Sequence, residues 1–344
     1  MYYLLLIITP LSTDFPTKHK AWMHRPQTMA RVLITGGAGF IGRHCARHFL
    51  NHGWDVRLFD CVSIEDEDPL VESGCSVQIG DVRDEKAVDL AMKDCDAVVH
   101  LAAVVSVPES IQNPGKTIDI NVGGTRNVLA SAQRLGLTHA IFASSAAVYG
   151  EQGTLPLDEA TALESLSPYG ESKITNEKDV ETARNHGLNA IALRFFNVYG
   201  PGQSISSGYA SLIPLFIDRL IQCERPTIFG DGMQTRDFIH VDDLTNAIVK
   251  LASLSKPYSV SVANVATQTQ TSVLDVFKVI NQHLVLNHHL PSMLPEFSSP
   301  RQGDIIHSYG SISKLQSIIE WQPQVGLEEG LSTLIEHQKG RGSP

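Results

Sequence analysis

From Ala30 onward the chain alternates short apolar runs with longer amphipathic segments. Runs rich in β-branched residues at Arg31 to Thr35, Asp55 to Asp60, Ser76 to Asp81, Ala97 to Ala102, Ala140 to Ser144 and Ala190 to Phe195 predict strands. Helical periodicity fills most of the gaps, as at Phe40 to His52, Asp84 to Met92 and Pro114 to Leu135. Strands joined by helical crossovers predict an α/β fold built on a doubly wound parallel sheet. After Phe196 the rhythm changes to glycine- and proline-rich stretches, among them Gly200 to Gly208 and Arg225 to Gly232, and Tyr258 to Val265 reads as a further strand returning to the sheet. The expected division is an extension over 1–28, a nucleotide-binding region over 29–196 and a smaller C-terminal region over 197–340. The chain has no internal repeat.

Composition adds limits to this picture. The 344 residues are 42% hydrophobic and 19% charged, enough apolar surface for a full core. A formal charge of −10 with a pI near 5.7 gives no basic face for nucleic acid. Cys45, Cys61, Cys75, Cys95 and Cys223 form no C-x-x-C pair and sit mostly in apolar patterns, which reads as reduced core thiols of a cytoplasmic protein with no metal centre. Tyr2 to Ile8 is apolar but too short to span a bilayer, and no basic segment precedes it, so no membrane association is expected. The polar, proline-punctuated stretch from Asp14 to Thr28, with Met29 directly before the first strand, reads as a disordered or untranslated extension.

The chemistry begins where the first strand runs into three glycines, VLITGGAGFIG from Val32 to Gly42. Gly37, Gly39 and Gly42 satisfy G-x-G-x-x-G, and Gly36, Gly39 and Gly42 behind Thr35 satisfy the related T-G-x-x-G-x-x-G. Either spacing serves the same demand: a tight turn, close approach of a pyrophosphate to bare backbone, and a helix start near Phe40 whose free amides and dipole favour anions. Asp60 closes the second strand about 20 residues later, where a carboxylate accepts both hydroxyls of an adenosine ribose. Cys61, Val62 and Ser63 add no positive charge for a 2′-phosphate, so NAD is expected over NADP; the alternative is an Asp that caps a loop. Asp81, followed by Val82, could hold the adenine amino group.

A second constellation closes the fifth strand. Ser145 lies in SSAAVYG, and Tyr169 and Lys173 follow on a helix opened by Pro168. The carboxyl ends of such strands face the cofactor crevice, which aims Ser145 at the nicotinamide, and four-residue spacing puts Tyr169 and Lys173 on one helix face. Bringing a phenol from pH 10 to about 7 takes roughly 4 kcal/mol, which Lys173 and a positive nicotinamide together could supply. Neither spacing is specific alone; their order along one chain is.

These blocks, with HLAAVVSVPESIQNP from His100, NVGGT from Asn121, RFFNVYGPGQ from Arg194, GDGMQTRDFIHVDD from Gly230 and RQGD from Arg301, resemble the extended short-chain dehydrogenase/reductases. Within that group they are similar to the nucleotide-sugar 4-epimerases of the UDP-glucose and UDP-N-acetylglucosamine type, over nearly everything from Met29 to the helix around Leu334. The resemblance implies a Rossmann-type domain holding NAD through Gly36, Gly39, Phe40, Ile41, Gly42, Asp60, Asp81, Val82, Leu101, Ala102 and Ala103, together with Tyr169 and Lys173. It implies that Tyr169 takes the 4-hydroxyl proton, that Lys173 holds the ribose and lowers the phenol pKa, that Ser145 binds the 4-oxygen, and that Asn121 supports the catalytic helix. Ser106, Val107, Asn197, Arg236, Arg301, Asp304 and Ser308 would join Ser145 in binding a UDP-sugar, the two arginines as bidentate partners of its diphosphate. Salt bridges from Arg236 to Asp237 or Asp242, and from Arg301 to Asp304, are the structural alternatives. A homodimer formed through the helices at Pro114 to Leu135 and Pro168 to His186 is also implied.

Where related dehydratases carry an Asp-Glu pair and decarboxylases a Glu, this chain has Ala146 and Ala147, which disfavours both reactions. Ser308, at a position where a bulky residue excludes N-acetyl groups, predicts room for N-acetylhexosamines, unless it merely caps the next helix. Ser311, where relatives carry Asp, is expected to cap that helix. The competing functions are a ketoreductase or hydroxysteroid-type dehydrogenase of the same fold, and a non-catalytic dinucleotide sensor. A steroid would leave the arginines without a diphosphate, and a sensor has no need of Ser145, Tyr169 and Lys173.

Overall fold

The computed structural model describes residues 29–203, 211–300 and 305–341. The expected extension over 1–28 lies outside them, as do Arg301 and Asp304. Six strands enter one sheet in chain order: β1 (Arg31–Thr35), β2 (Asp55–Asp60), β3 (Ser76–Ile79), β4 (Ala97–His100), β5 (His139–Ser145) and β6 (Ala190–Phe195). Val262–Val265 pairs beside β6, so the order across the sheet runs Val262–Val265, β6, β5, β4, β1, β2, β3, all parallel. The order reverses at β1, the point at which an open α/β sheet opens a crevice for a nucleotide.

Burial on both faces explains the nearly unbroken apolar runs. Val32 and Ile34 of β1, Val99 of β4 and Leu193 of β6 enter one core with Phe49 of helix α1 (Phe40–Asn51) and Leu244 and Ile248 of the helix Val241–Ala252. The intervening Leu33, Val98 and Ala192 face the other way, onto Val88 and Met92 of helix Glu85–Met92 and Val128 of helix Gly124–Leu135. A third core joins Phe216 of Leu212–Ile221, Phe277 and Ile280 of Val273–His288, and Leu331 and Leu334 of Leu327–Arg341. Around it lie only short strand pairs: Asn197–Tyr199 with Phe238–His240, Thr227–Phe229 with Glu296–Ser298, and Thr235–Arg236 with Thr271–Ser272.

Several elements are shorter than the sequence predicts. β4 stops at His100: the Leu101 amide is shared between the Thr35 carbonyl and Thr35 Oγ1, each at 3.2 Å, and the Ala102 amide turns to Thr35 Oγ1 at 3.3 Å. The returning strand starts at Val262, since the amide of Tyr258 is taken by Asn189 Oδ1 at 2.9 Å. The expected single helix from Pro114 to Leu135 is interrupted by a π-helical turn, Asp119–Gly123, a wider turn of the kind found at functional positions, and it contains the buried Asn121. The cysteines are all free, but Cys61 and Cys223 are exposed and are not core thiols. Among the described residues no helix is long and apolar enough to cross a membrane.

Candidate functional site

The turn after β1 is built on Gly36, which sits at φ +70°, where an L side chain is strained. A Cβ at Gly36 would come within 2.8 Å of the Ala102 amide, and one at Gly42 within 2.2 Å of the Gly36 carbonyl. This favours the Gly36, Gly39, Gly42 reading, although Gly37 is also tightly held against Leu58. α1 then starts at Phe40 with Gly39 as N-cap, no side-chain cap and no acidic residue in its first turn. Amides of the first turn, including those of Ile41 and Gly42, therefore remain available to an anion, the demand a pyrophosphate makes. Asp60 is held by backbone, its Oδ2 accepting from Ala38 at 3.0 Å and its Oδ1 from Val62 at 3.1 Å, which leaves each oxygen a lone pair for a ribose hydroxyl. Leu101, Ala102 and Ala103 form the half-buried wall opposite the glycines. Asp81 and Val82 fit their assigned role less directly: Arg83 grips the Asp81 carboxylate with both Nε and Nη2, and Val82 is a core residue packed on Gly124.

The helix Pro168–Asn185 carries the second constellation. Ser167 caps it, accepting from the Gly170 amide at 3.1 Å, and Pro168 occupies its first turn. A Cβ at Gly170 would lie 2.8 Å from the Ala147 carbonyl, so glycine lets the helix close on the turn that follows Ser145. Ser145 lies beside Tyr169, its Oγ accepting from the Ala147 amide at 3.2 Å. Burial raises the Tyr169 phenol above its ordinary pKa and the neighbouring Ser145 hydroxyl opposes this, so the lowering expected from the sequence is not delivered by the protein's own side chains. Lys173 lies 5.7 Å from the Tyr169 ring centre and donates from Nζ to the Ala143 carbonyl at 2.8 Å. Burial pushes its pKa down to about 8, with Glu177 pulling the other way.

Asn121 ties this helix to the chain after β4. Its Oδ1 accepts from the Val104 amide at 2.7 Å, and its Nδ2 donates to the Val104 carbonyl and to Ser172 Oγ, each at 3.0 Å. It touches neither Tyr169 nor Lys173 through any of these bonds. Ser106 caps the short helix Val107–Gln112 through the Glu109 amide, and Val107 is partly exposed beside it. That short helix meets the helix Pro168–Asn185 where Ser110 Oγ, buried, accepts from the Tyr169 amide at 3.2 Å.

Across the crevice, Asn197 and Arg236 line one cavity with Phe216, Thr227, Phe229 and Phe238. A larger adjoining cavity of about 940 Å³ shares Phe229 and Gln234 and includes Met233, Phe297 and His307. Pro300 and Ile305, on either side of the stretch containing Arg301 and Asp304, also line it. The acids proposed as alternative partners of Arg236 are taken up elsewhere. Asp237 is filled by the amides of Thr267, Gln268 and Gly310, and Asp242 by His44 and His48. Arg236 Nη1 donates to the Thr235 carbonyl at 2.8 Å. Ser308 is buried, its amide on the Thr235 carbonyl at 3.2 Å, and it caps no helix. Ser311 falls one residue before the N-cap Ile312, although its Oγ accepts from Ser313 at 3.4 Å.

Three contributors went unread in the sequence. His100 bridges Thr35 Oγ1 at 2.7 Å and Thr125 Oγ1 at 3.1 Å. Thr125 donates its own proton to the Asn121 carbonyl, so His100 carries hydrogen on Nε2 and accepts at Nδ1. Burial first, then Lys173, push its pKa down to about 3, so it is a neutral brace. Ser110 and Glu177 are the others; a polar residue ending an apolar strand, and a carboxylate one turn beyond Lys173, were the available signals. Away from this crevice, His283, His288 and Glu336 converge, but Lys339 Nζ sits 2.7 Å from His288 Nδ1. An ammonium there makes Nδ1 an acceptor, so the His288 ring is neutral with its hydrogen on Nε2, 2.8 Å from the Glu336 carboxylate, and neither ring nitrogen is open to a metal.

The sequence profile of the NAD dependent epimerase/dehydratase family matches residues 32–265, more than half of the chain. The chain belongs to this family. The family's cofactor, NAD, suits the glycine cradle, the uncapped helix start and the backbone-held Asp60. Among its relatives, a UDP-glucose 4-epimerase of Halalkalibacterium halodurans is 33% identical over 322 residues, 89% of this chain and 93% of its own. A solved UDP-N-acetylglucosamine 4-epimerase of Methanobrevibacter ruminantium, in complex with UDP-N-acetylmuramic acid, is 31% identical with a TM-score of 0.83, covering 91% of this chain and 99% of its own. A UDP-glucose 4-epimerase of Thermotoga maritima with UDP-glucose is 30% identical with a TM-score of 0.82, covering 91% of this chain and 100% of its own.

Proposed function

We propose that this family member is an NAD-dependent nucleotide-sugar 4-epimerase acting on UDP-hexoses or UDP-N-acetylhexosamines. The observation that carries the reading is Ser145 at the end of β5 beside Tyr169, with Lys173 on the same helix face donating to the Ala143 carbonyl, in a chain that also lines a cavity with Asn197 and Arg236. Gly36, Gly39, Phe40, Ile41 and Gly42 would hold the pyrophosphate and Asp60 the adenosine ribose, with Leu101 to Ala103 as the wall. When bound, NAD supplies the reversible two-electron oxidation of the C4 alcohol to a 4-keto sugar and its reduction from the opposite face. Tyr169 takes and returns the O4 proton, Ser145 donates a hydrogen bond to O4, and Lys173 as an ammonium stabilises the phenolate. Arg236 and Asn197, with Arg301, anchor the diphosphate; Asp304 and the aromatic cavity take the uridine. Ser106 and Val107 border the sugar.

Ser308, small and buried, supports acceptance of N-acetyl groups; Ser308→Tyr is expected to abolish turnover of the N-acetylated sugar while sparing UDP-glucose, and equal loss on both defeats the idea. We also propose a cytoplasmic homodimer, supported by the exposed Ile118 and Leu166, which line an apolar groove between the helices Pro114–Ile118 and Pro168–Asn185. The division into a cofactor region over 29–196 and a mainly substrate-binding region over 197–340 follows the same reading. Proton NMR on purified protein with NAD and no added NADH tests the activity. Interconversion of a UDP-sugar with its C4 epimer supports it; consumption of NADH with net reduction of a 4-keto sugar would instead favour the ketoreductase.

A further inference from the structure

We infer that Glu177 is a positioning residue of this reaction centre, docking the catalytic helix against the end of β5 and acting as the counter-charge that keeps the Lys173 ammonium protonated. The inference rests on the reading of Tyr169 and Lys173 given above.

The geometry is a three-point registration. Three consecutive residues of β5 are each engaged by one side chain of the helix Pro168–Asn185. The Ala143 carbonyl accepts from Lys173, Ser144 Oγ donates to Glu177 Oε1 at 2.5 Å, and Ser145 lies beside Tyr169. Glu177, one turn beyond the ammonium, therefore grips the middle of the three strand residues, Ser144. It is itself fixed by Arg194 of β6, whose Nε donates to Oε1 at 2.9 Å and whose Nη2 donates to Oε2 at 2.7 Å. Side chains of the pair are 3% and 9% exposed, so the bidentate bond forms in a low-dielectric interior. Arg194 then reaches Tyr149 Oη at 2.9 Å, and Tyr149 donates to Asn264 Oδ1 at 2.6 Å on the neighbouring strand. The turn that carries Ser145 is thus held from behind through Tyr149.

Charge gives Glu177 its second task. Lys173 is buried, and burial favours the neutral amine. The groups facing it are Tyr169 and Glu177 from its own helix, His100 from β4, the Ala143 carbonyl from β5, and Arg194 of β6 beyond Glu177. His100 is neutral, and Arg194 is a cation further off, so the field that holds the proton on Lys173 comes from Glu177. A buried ion pair contributes little net stability, whereas this one sits where its sign matters to the neighbouring ammonium.

The decisive experiment titrates Lys173 by NMR of protein carrying ¹³Cε-lysine, with Lys173→Met identifying the resonance, alongside the pH profile of kcat/KM. Glu177→Gln is expected to lower the Lys173 midpoint by ~1 pH unit and to move the alkaline limb of the profile down equally. Glu177→Asp, which keeps the charge, should restore the midpoint. If Arg194 left unpaired prevents folding, the doubly neutral Glu177→Gln/Arg194→Gln variant carries a downward shift of the same sign but smaller size, because the opposing Arg194 charge is removed with Glu177. An unchanged midpoint in either folded variant overturns the inference, whatever happens to the turnover rate. Wild-type protein whose Lys173 titrates as expected but which interconverts no UDP-hexose would defeat the epimerase reading and leave this one standing.

Discussion

Two arginines show how differently the two sides of the crevice hold charge. Arg194, on a six-residue strand inside the seven-stranded sheet, is buried and has its hydrogen bonds filled by Glu177 and Tyr149. Arg236, on a strand of two residues paired with another of two, is half-buried and opens onto a cavity. The first belongs to a rigid frame that fixes the distance between Tyr169, Lys173 and Ser145. The second is the residue proposed to meet a diphosphate that arrives and must leave. Redox chemistry at one carbon needs register held to a fraction of an ångström, and a parallel sheet buried on both faces provides it. A nucleotide anchor needs reach and charge, which short strands and loops supply at less cost in buried polar groups.

The largest effect should come from the rigid side. Tyr169→Phe removes the proposed proton acceptor and leaves the frame intact, so kcat should fall by roughly 10²–10⁴ with the melting temperature little changed; NMR turnover with a thermal melt checks both, and retention of most of the rate would sink the proposed role. On the open side, Arg236→Ala should act on binding instead. A lost charge-assisted pair of roughly 1.5–3 kcal/mol raises KM for the UDP-sugar by about 10–150-fold. An equal fall in kcat would mean that the two sides are not separable in the way their burial suggests.

Protonation of Lys173 offers a smaller and two-sided test. Its pKa in the folded chain is lowered from 10.5 to about 8, so between these values the unfolded chain keeps a proton that the folded chain has released. Stability from this group therefore rises as pH increases through that window, and its cost is fully present below about 8. Activity should move oppositely, falling by about tenfold per pH unit above the folded value as the ammonium is lost. Denaturant melts and kcat/KM profiles over the same buffers will show whether the two trends cross. The mildest change is Asn197→Ala: an exposed amide that brings no charge of its own to the diphosphate should cost a KM increase of only about 2–10-fold.

Much of the frame could be read from the chain. β1, β2 and β6 begin and end where their apolar runs do, because strands buried on both faces leave unbroken hydrophobic signals. The glycine turn, Asp60, Ser145, Tyr169 and Lys173 were legible because each follows a strand end or shares a helix face, relations that local spacing encodes. The open side was less legible. Its strands are two or three residues long, below the length at which a period of two can be seen, and its charged residues have several possible partners in sequence. Asp237 shows the difficulty: adjacent to Arg236, it spends its carboxylate on Thr267, Gln268 and Gly310.

By itself, then, the sequence determined the doubly wound sheet and the glycine turn after β1, and it named the proposed Ser145, Tyr169 and Lys173 set, since all three depend on residue type at short spacing. Only the tertiary structure decided the protonation and alignment of that set. Lys173 loses basicity by burial, His100 is kept neutral between Thr35 and Thr125, and Glu177 meets Arg194 and Ser144 from two other elements. Desolvation and charge act through space, and the distances over which they act are set by which strands lie side by side.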